Sequence, residues 1–371
     1  MIASCGIIAV LSILLFIQRT VALSNLSSSN AICGFVASTN VATIDGYTQW
    51  ECSVLGDPVT DPCESPQWEG LGCNGSAIVL IDLDEIGLTG TIPSSVGLMT
   101  ALKDIGLLGN FLNGTIPSSI GSLTSIVYLS MGSNCLSGSI PSSIGSLHEL
   151  LLLYLNTNFL TGSVPSTIGE LLSVRELYLF NNSLTGFIPS TLGSLSSLRA
   201  LSLNVNHLSG TIPTTVASLT PLERFSVNDN WLTGTIPASL SALSSSLKYM
   251  ALDSNQLSGT VPTSFASLTK LIFLWVQDNQ VTGSLPTFVD SLSLLAIIGA
   301  NNNYFNGSIP ESFVLGNVQY LDIEDNLLTG TVPTNIGNMS SLKDFSAGSN
   351  SLSGSIPSGF GDLSALMIID V

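Results

Sequence analysis

An α/β solenoid built from one repeated turn, with a cysteine-stapled cap at its N-terminal end, is the fold class this sequence predicts. Three observations predict it. Aligning the chain on its Asn-x-Leu-x-Gly core places asparagines at Asn110, Asn134, Asn158, Asn182, Asn206, Asn230, Asn255, Asn279, Asn303, Asn326 and Asn350, a period of 24 residues with one of 25 and one of 23. Each asparagine is followed by a glycine, a Ser or Thr (Phe187 is the exception), an aliphatic residue and a proline, as in Gly210-Thr211-Ile212-Pro213, so that twelve of the sixteen prolines share one slot. Cys33, Cys52, Cys63 and Cys73 cluster before the first repeat, and the chain beyond them holds only Cys135. A fixed period in this range is the mark of stacked units that cannot bury their apolar face alone. Each unit touches only its neighbours, so 371 residues read as one array with no division into globular domains.

From the N-terminus, Ile7 to Ile17 form an apolar run of signal-peptide length, too short for a membrane span. Small-residue cleavage sites follow at Thr20-Val21-Ala22 or Ala22-Leu23-Ser24, so residues 1–23 are expected to be a secretory signal peptide; a retained anchor is the alternative. Six Asn-x-Ser/Thr sequons, at Asn25, Asn74, Asn113, Asn181, Asn306 and Asn338, are candidate glycan acceptors and agree with secretion. Residues 24–77 form the expected cap. The first turn of a solenoid exposes an apolar end, and a small disulfide-bonded unit covers it. Four cysteines allow three pairings, and zinc ligation is a rival that the irregular spacing and the lack of a nearby histidine disfavour.

Residues 78–371 carry the repeats, twelve and a truncated thirteenth. In Val127-Tyr128-Leu129-Ser130-Met131-Gly132-Ser133-Asn134, Leu129 and Met131 alternate with polar or small neighbours, the period of a half-buried strand. Stacked strands predict one long parallel sheet with Tyr128, Ser130, Gly132 and Ser133 on the outer, concave face. Each asparagine turns inward at its strand end, where a buried amide must be hydrogen-bonded, here to backbone of its own and the adjacent turn. Ile86 stands where the first asparagine would be, which leaves that turn dependent on the cap. Leu112, Ile116, Ile120, Leu123 and Ile126 fill the core and outer arc. The odd repeats place their extra residue near Ser244-Ser245-Ser246 and their missing one near Gly316, in the arc, with strand register untouched. The pattern runs to Val371 inside a strand, so the expectation is a sequence that continues further.

The Leu-(Ser/Thr)-Gly-x-Ile-Pro segment resembles that of plant-type leucine-rich repeats, as in receptor-kinase ectodomains and polygalacturonase-inhibiting proteins. Asp61-Pro62-Cys63 with Trp68-Glu69-Gly70-Leu71-Gly72-Cys73-Asn74 is similar to the cap motif of that family. The resemblance implies a right-handed, curved superhelix with its parallel sheet on the concave face. It also implies pairing of Cys63 with Cys73, which leaves Cys33 for Cys52.

Composition excludes several functions. A net charge of −17, with eight scattered basic residues, argues against nucleic acid, which needs clustered Lys and Arg. The same charge opposes anionic lipid, so a membrane link requires a segment absent from this chain. No phosphate loop, nucleophile–base set or metal-ligand cluster is present, and the reading is a non-enzyme without cofactor or metal. His148 and His207 are expected to be solvated surface residues, and Cys135 an idle, partly buried thiol.

Outward positions hold the candidate site. They are Tyr154, then Tyr178 and Phe180, then Tyr249 and Asp253, then Phe273, Trp275, Gln277 and Asp278, and finally Tyr320, Asp322, Glu324 and Asp325. Aromatics flanked by carboxylates on a rigid sheet have the make-up of a recognition surface. The expected function is therefore extracellular recognition of a peptide, protein or glycan, as a secreted or cell-surface receptor ectodomain or receptor-like protein, with a cationic or sugar-bearing ligand around Trp275. Two alternatives stand beside it: an inhibitor of a wall-degrading enzyme, and ice binding by the hydroxyl column Thr91, Thr115, Ser139, Ser163, Thr211, Thr235, Thr260, Ser284, Ser308, Thr331 and Ser355, which otherwise bonds local backbone.

Overall fold

The computed structural model describes residues 28–44, 50, 52, 58, 61–64, 67–311 and 317–371; the expected signal peptide, Asn25 and the site of the short repeat at Gly316 lie outside them. Two compact units divide the chain, Met1–Leu171 and Leu172–Val371. Both are made of stacked turns.

In the first unit, the helix Ser28–Ser38 and the hairpin of Leu71–Asn74 with Ala77–Asp82 form the cap. Two disulfides close it, Cys33–Cys52 and Cys63–Cys73, the pairing implied by the cap motif. Loop closures of this size stabilise by about 3 kcal/mol each on a chain-entropy account. Between them Trp50, Trp68 and Phe35 are buried, with Trp50 and Trp68 ring centroids 5.4 Å apart and the Trp50 indole N–H donating to the Glu69 carbonyl. The first repeat does depend on this cap. Where later turns pair with the turn before, Asn40 of the cap pairs with Thr89, its Oδ1 accepting from the Thr89 N–H at 2.7 Å and its own N–H donating to the Thr89 carbonyl at 3.2 Å.

The later turns, so far as their residues are described, share one plan, with a six-residue helix in one of them. A three-residue strand is followed by the inward asparagine, a second short strand, the proline, and a five-residue 3-10 helix such as Ser118–Ser122. The proline stands at the N-cap, just before that helix, where its fixed φ, −68° at Pro117, suits the extended entry. In the first unit the strands Ala77–Asp82, Asp104–Gly106, Tyr128–Ser130 and Leu152–Tyr154 follow one another in a parallel sheet. Among the described residues the second unit has a parallel sheet of nine such strands, from Glu176–Tyr178 to Ile368–Asp370. Register never slips: Leu177, Leu201, Phe225, Met250, Leu274, Ile298, Leu321, Phe345 and Ile369 form one row, buried except at the last position. The extra residue of the long repeat is absorbed in the six-residue 3-10 helix Ala238–Leu243 and the following Ser244, while Arg224 still faces Tyr249 across the sheet.

The asparagine ladder is as expected. Asn230, 5% exposed, donates from Nδ2 to the carbonyls of Leu203, Val227 and Asn228, each at 3.1 Å, and accepts the Leu208 N–H at 2.9 Å. One amide thus accepts from the Leu208 N–H and shares its two N–H donors among three carbonyls that the Asn206 amide, the Asn255 amide and the Val205 N–H also reach, which ties adjacent turns together.

Three features depart from the sequence reading. A second parallel sheet is present, formed by the Leu-x-Gly segments, such as Ser183–Phe187, His207–Gly210 and Trp231–Thr235 in the second unit. Its hydroxyls that bond backbone are those before the glycine, for example Thr233 to the Gly210 carbonyl, whereas the column after it is exposed. That column packs by its methyl groups: a Cβ on Gly234 would come within 2.8 Å of Thr211 Cγ2, so the glycine both takes its φ of +78° and leaves room for the preceding turn. Cys135, at a half-buried slot that neighbouring turns do not close over, is disulfide-bonded, which corrects the expectation of an idle thiol.

The third feature is a column of left-handed residues directly before the ladder asparagines, in which Asn181, Asp229, Asp278 and Asn302 have φ of 51–53° and Val205 has 54°. A β-branched side chain is strained there, since its two γ carbons crowd the backbone. Val205 is 41% exposed, so it makes little packing to offset this. Val205→Asn is therefore expected to raise stability by about 1 kcal/mol, readable as an increased denaturation midpoint at unchanged slope.

Candidate ligand-recognition face

The first sheet of the second unit positions the site. Because alternate residues of a strand point to opposite faces, Tyr249, Phe273 and Trp275 project outward while Met250, Leu274 and Val276 enter the core. Tyr249 and Phe273 face each other in register on adjacent strands and stack, with centroids 4.9 Å apart and ring planes 19° apart. The Phe273 and Trp275 rings meet edge to face at 5.7 Å. On the far side the Arg224 guanidinium lies 4.9 Å from the Tyr249 ring centre. The result is a continuous run, Arg224, Tyr249, Phe273, Trp275, ending in an indole that is 37% exposed.

Beyond Trp275 the next strand offers Gly299 as its in-register neighbour, and a side chain there would collide with Gln277 Oε1 and crowd the indole. The Gln277 side-chain amide fills the space above Gly299 and lies against the tryptophan. Asp253 and Gln277 occupy equivalent places at the ends of adjacent strands. Asp253 is only 8% exposed, a difference from the projecting position its place in the pattern suggested; its Oδ1 and Gln277 Oε1 are buried without a hydrogen-bond partner. Burial pushes the Asp253 carboxyl up to about 6, and the negative charges of Asp229 and Asp278 add to the shift. Asp278 sits in the left-handed column, exposed, where it accepts from the Asn302 amide at 2.8 Å.

Other expected site residues form separate groups. Tyr320, 38% exposed, lies two strands beyond Phe273 with Ile297 between, and holds the Lys343 ammonium 5.8 Å from its ring centre. Burial pushes its neighbour Asp322 upward, and the Glu324 N–H donates to that carboxylate. Tyr178 and Phe180 pack on each other at 6.2 Å, and burial followed by the contact with Glu176 pushes the Tyr178 phenol up. Tyr154 is half-buried in the first unit.

His148 and His207 are both exposed, but neither is merely solvated: a His148 ring nitrogen is 3.2 Å from the Glu170 carbonyl, and His207 stacks on Trp231 at 4.7 Å. That stack, with Phe187 lying over Gly210, is an exposed aromatic surface on the second sheet that the sequence reading missed. The one signal for it was Phe187, which breaks the Ser/Thr column. Among the described residues no group of three or more His, Cys, Asp or Glu is placed to hold a metal, and no helix is long and apolar enough to cross a membrane.

Stacked turns, an asparagine ladder, a tryptophan-bearing disulfide cap and an outward aromatic and acidic face define a plant-type leucine-rich-repeat solenoid. The family description "Leucine-rich repeat region" matches residues 80–281, more than half of the chain, and "Leucine Rich Repeat" matches residues 317–339. The chain belongs to the leucine-rich-repeat family. No curated protein matches it in sequence. Among solved structures it is similar to PEPR1 in the PEPR1–AtPEP1 crystal structure, at 29% identity and a TM-score of 0.86 over 93% of this chain and 48% of that one. The ectodomain of the plant membrane receptor kinase GASSHO1/SCHENGEN3 from Arabidopsis thaliana, solved with CASPARIAN STRIP INTEGRITY FACTOR 2, is similar at 31% identity and a TM-score of 0.82, over 93% and 44%. The plant peptide hormone receptor RGFR1, solved with RGF2, is similar at 30% identity and 0.64, over 76% and 53%. The chain spans about half the length of these receptor chains.

Proposed function

We propose that this chain is the recognition part of an extracellular or cell-surface receptor or receptor-like protein, and that it binds an extended peptide across the outward face of its first sheet, centred on Trp275. The observation that carries this is the aromatic run ending in an exposed indole beside the buried Asp253, on a sheet whose other outward positions are mostly small or polar. Exposed aromatics at the edge of a desolvated polar group have the make-up of binding hot spots. Support comes from the receptors just described, among them one named as a peptide hormone receptor. Disulfides in the cap agree with an oxidising compartment. Asn74, Asn181, Asn306 and Asn338 are exposed and are proposed glycan acceptors, whereas Asn113 is half-buried.

The test is selection of a random heptapeptide display library on the secreted protein, repeated on Trp275→Ala. Peptides enriched on the wild type are expected to be lost on the variant. Enrichment of the same peptides on both proteins would refute the placement.

A further inference from the structure

We propose that the exposed aromatic surface of the second sheet, Phe187 with the His207–Trp231 stack, is a platform for a neutral glycan, a site independent of the first-sheet face. The fold does not account for these rings. Phe187 is 71% exposed and Trp231 54%, so neither adds much to the core. At every other turn the slot of Phe187 holds Ser or Thr, so the repeat itself has no need of an aromatic there. Single exposed aromatics are common on protein surfaces, but these two share a row. Phe187 pairs with Ser209 and Ser209 with Trp231, which puts the two residues two strand spacings apart, about 10 Å.

Both rings are held by their neighbours. Phe187 lies over Gly210, where a Cβ would come within 2.4 Å of its ring, and the His207 imidazole stacks on the Trp231 indole at 4.7 Å with the planes 19° apart. Aromatic surface fixed in this way binds with little further loss of rotamer freedom. The surroundings then define the ligand. Thr185, Thr211 and Thr233 are exposed around the rings, and exposed Gln256 and Gln280 begin the next two strands of the sheet. The strands Ser183–Phe187, His207–Gly210, Trp231–Thr235, Gln256–Gly259 and Gln280–Ser284 contain no Asp, Glu, Lys or Arg. A chain of net charge −17 repels a polyanion, and strands without carboxylates give a cation no partner, so the complementary ligand is uncharged. A sugar ring meets these demands, with an apolar C–H face for an aromatic and hydroxyls at its rim for threonine and glutamine side chains. Successive rings of an extended β-linked glycan advance by about one strand spacing, so alternate rings reach Phe187 and Trp231.

The experiment is affinity electrophoresis of the whole protein, freed of N-glycans, through gels containing hydroxyethyl cellulose, arabinoxylan or glucomannan, with polygalacturonate as the anionic comparison. At least one neutral glycan should retard the wild type, and polygalacturonate should not. Phe187→Thr, which restores the kind of residue found at that slot in the other turns, and Trp231→Ala should each raise the dissociation constant at least tenfold while melting like the wild type, and Trp275→Ala should bind as the wild type does. Absence of retardation in every neutral gel, equal retardation of the wild type and both second-sheet variants, or a loss confined to Trp275→Ala would overturn the platform. Retardation by polygalacturonate as strong as by any neutral glycan would overturn the choice of an uncharged ligand.

Discussion

Replacing Asn230 by alanine is expected to destabilise the protein by about 4 kcal/mol, the largest effect of any single change discussed for this chain. The magnitude follows from what the amide does. Alanine strands the buried Leu208 N–H, at about 1–3 kcal/mol, and removes the two Nδ2 donor bonds, at about 1 kcal/mol each, from carbonyls that keep a second donor in the Asn206 amide, the Asn255 amide and the Val205 N–H. Water cannot substitute freely, because Asn230 is 5% exposed and its neighbours Leu203, Leu208 and Val227 are closed off. Asn230→Asp should be no better, since it loses the Nδ2 donors and buries a charge. The control is Asn228→Ala two residues earlier, where the side chain bonds only Asp229 at the surface and the expected change is within about 0.5 kcal/mol. Guanidinium unfolding of the three variants decides. Equal stabilities for Asn230→Ala and Asn228→Ala would show that the ladder amides are not what joins the turns.

Asp253→Asn should have the opposite sign. The folded-state carboxyl, pushed by burial to about 6 from an ordinary 3.8, holds its proton where the unfolded chain has released it. Its contribution to stability is thus fully present below about pH 4 and is lost as the pH rises through 6, after which the ionised group is a burden on the folded state. Asparagine keeps the shape of the protonated acid and never ionises. At pH 7.5 the variant should be more stable than the wild type by about 2 kcal/mol, a figure reduced for the water above an open face, and the difference should fall to about a third of that at pH 4.5. Denaturant midpoints at the two pH values test this. A gap of the same size at both would mean that Asp253 is not the titrating group.

The repeat made much of this fold legible. The period, the inward asparagines and the leucines are each a local signal copied many times, and the cap pairing of Cys33 with Cys52 and Cys63 with Cys73 followed from a motif match. The second sheet was not legible, because segments such as Trp231–Thr235 are short and carry a left-handed glycine, which reads as a turn; their pairing comes from the neighbouring turn. Val205 gave no hint of its left-handed backbone, since valine favours strands. In the site, the outward aromatics were visible from alternation, whereas the burial of Asp253 depends on side chains of adjacent strands. Gly299 carries no site signal in the sequence, yet in the fold its missing side chain leaves the room that the Gln277 amide takes beside Trp275.

The central claim is that the first-sheet face around Trp275 binds the ligand, and the protein supplies its own control in a second exposed tryptophan. Trp275 is 37% exposed on the first sheet and Trp231 is 54% exposed on the second. The deciding measurement is titration calorimetry of one selected peptide against the wild type, Trp275→Ala and Trp231→Ala, each with a thermal melt. Loss of at least about 30-fold in affinity for Trp275→Ala, near 2 kcal/mol, with Trp231→Ala within about twofold and all three melts alike, is the predicted result. A Trp275→Ala protein that melts normally and binds within about twofold of the wild type, or a loss confined to Trp231→Ala, would contradict it.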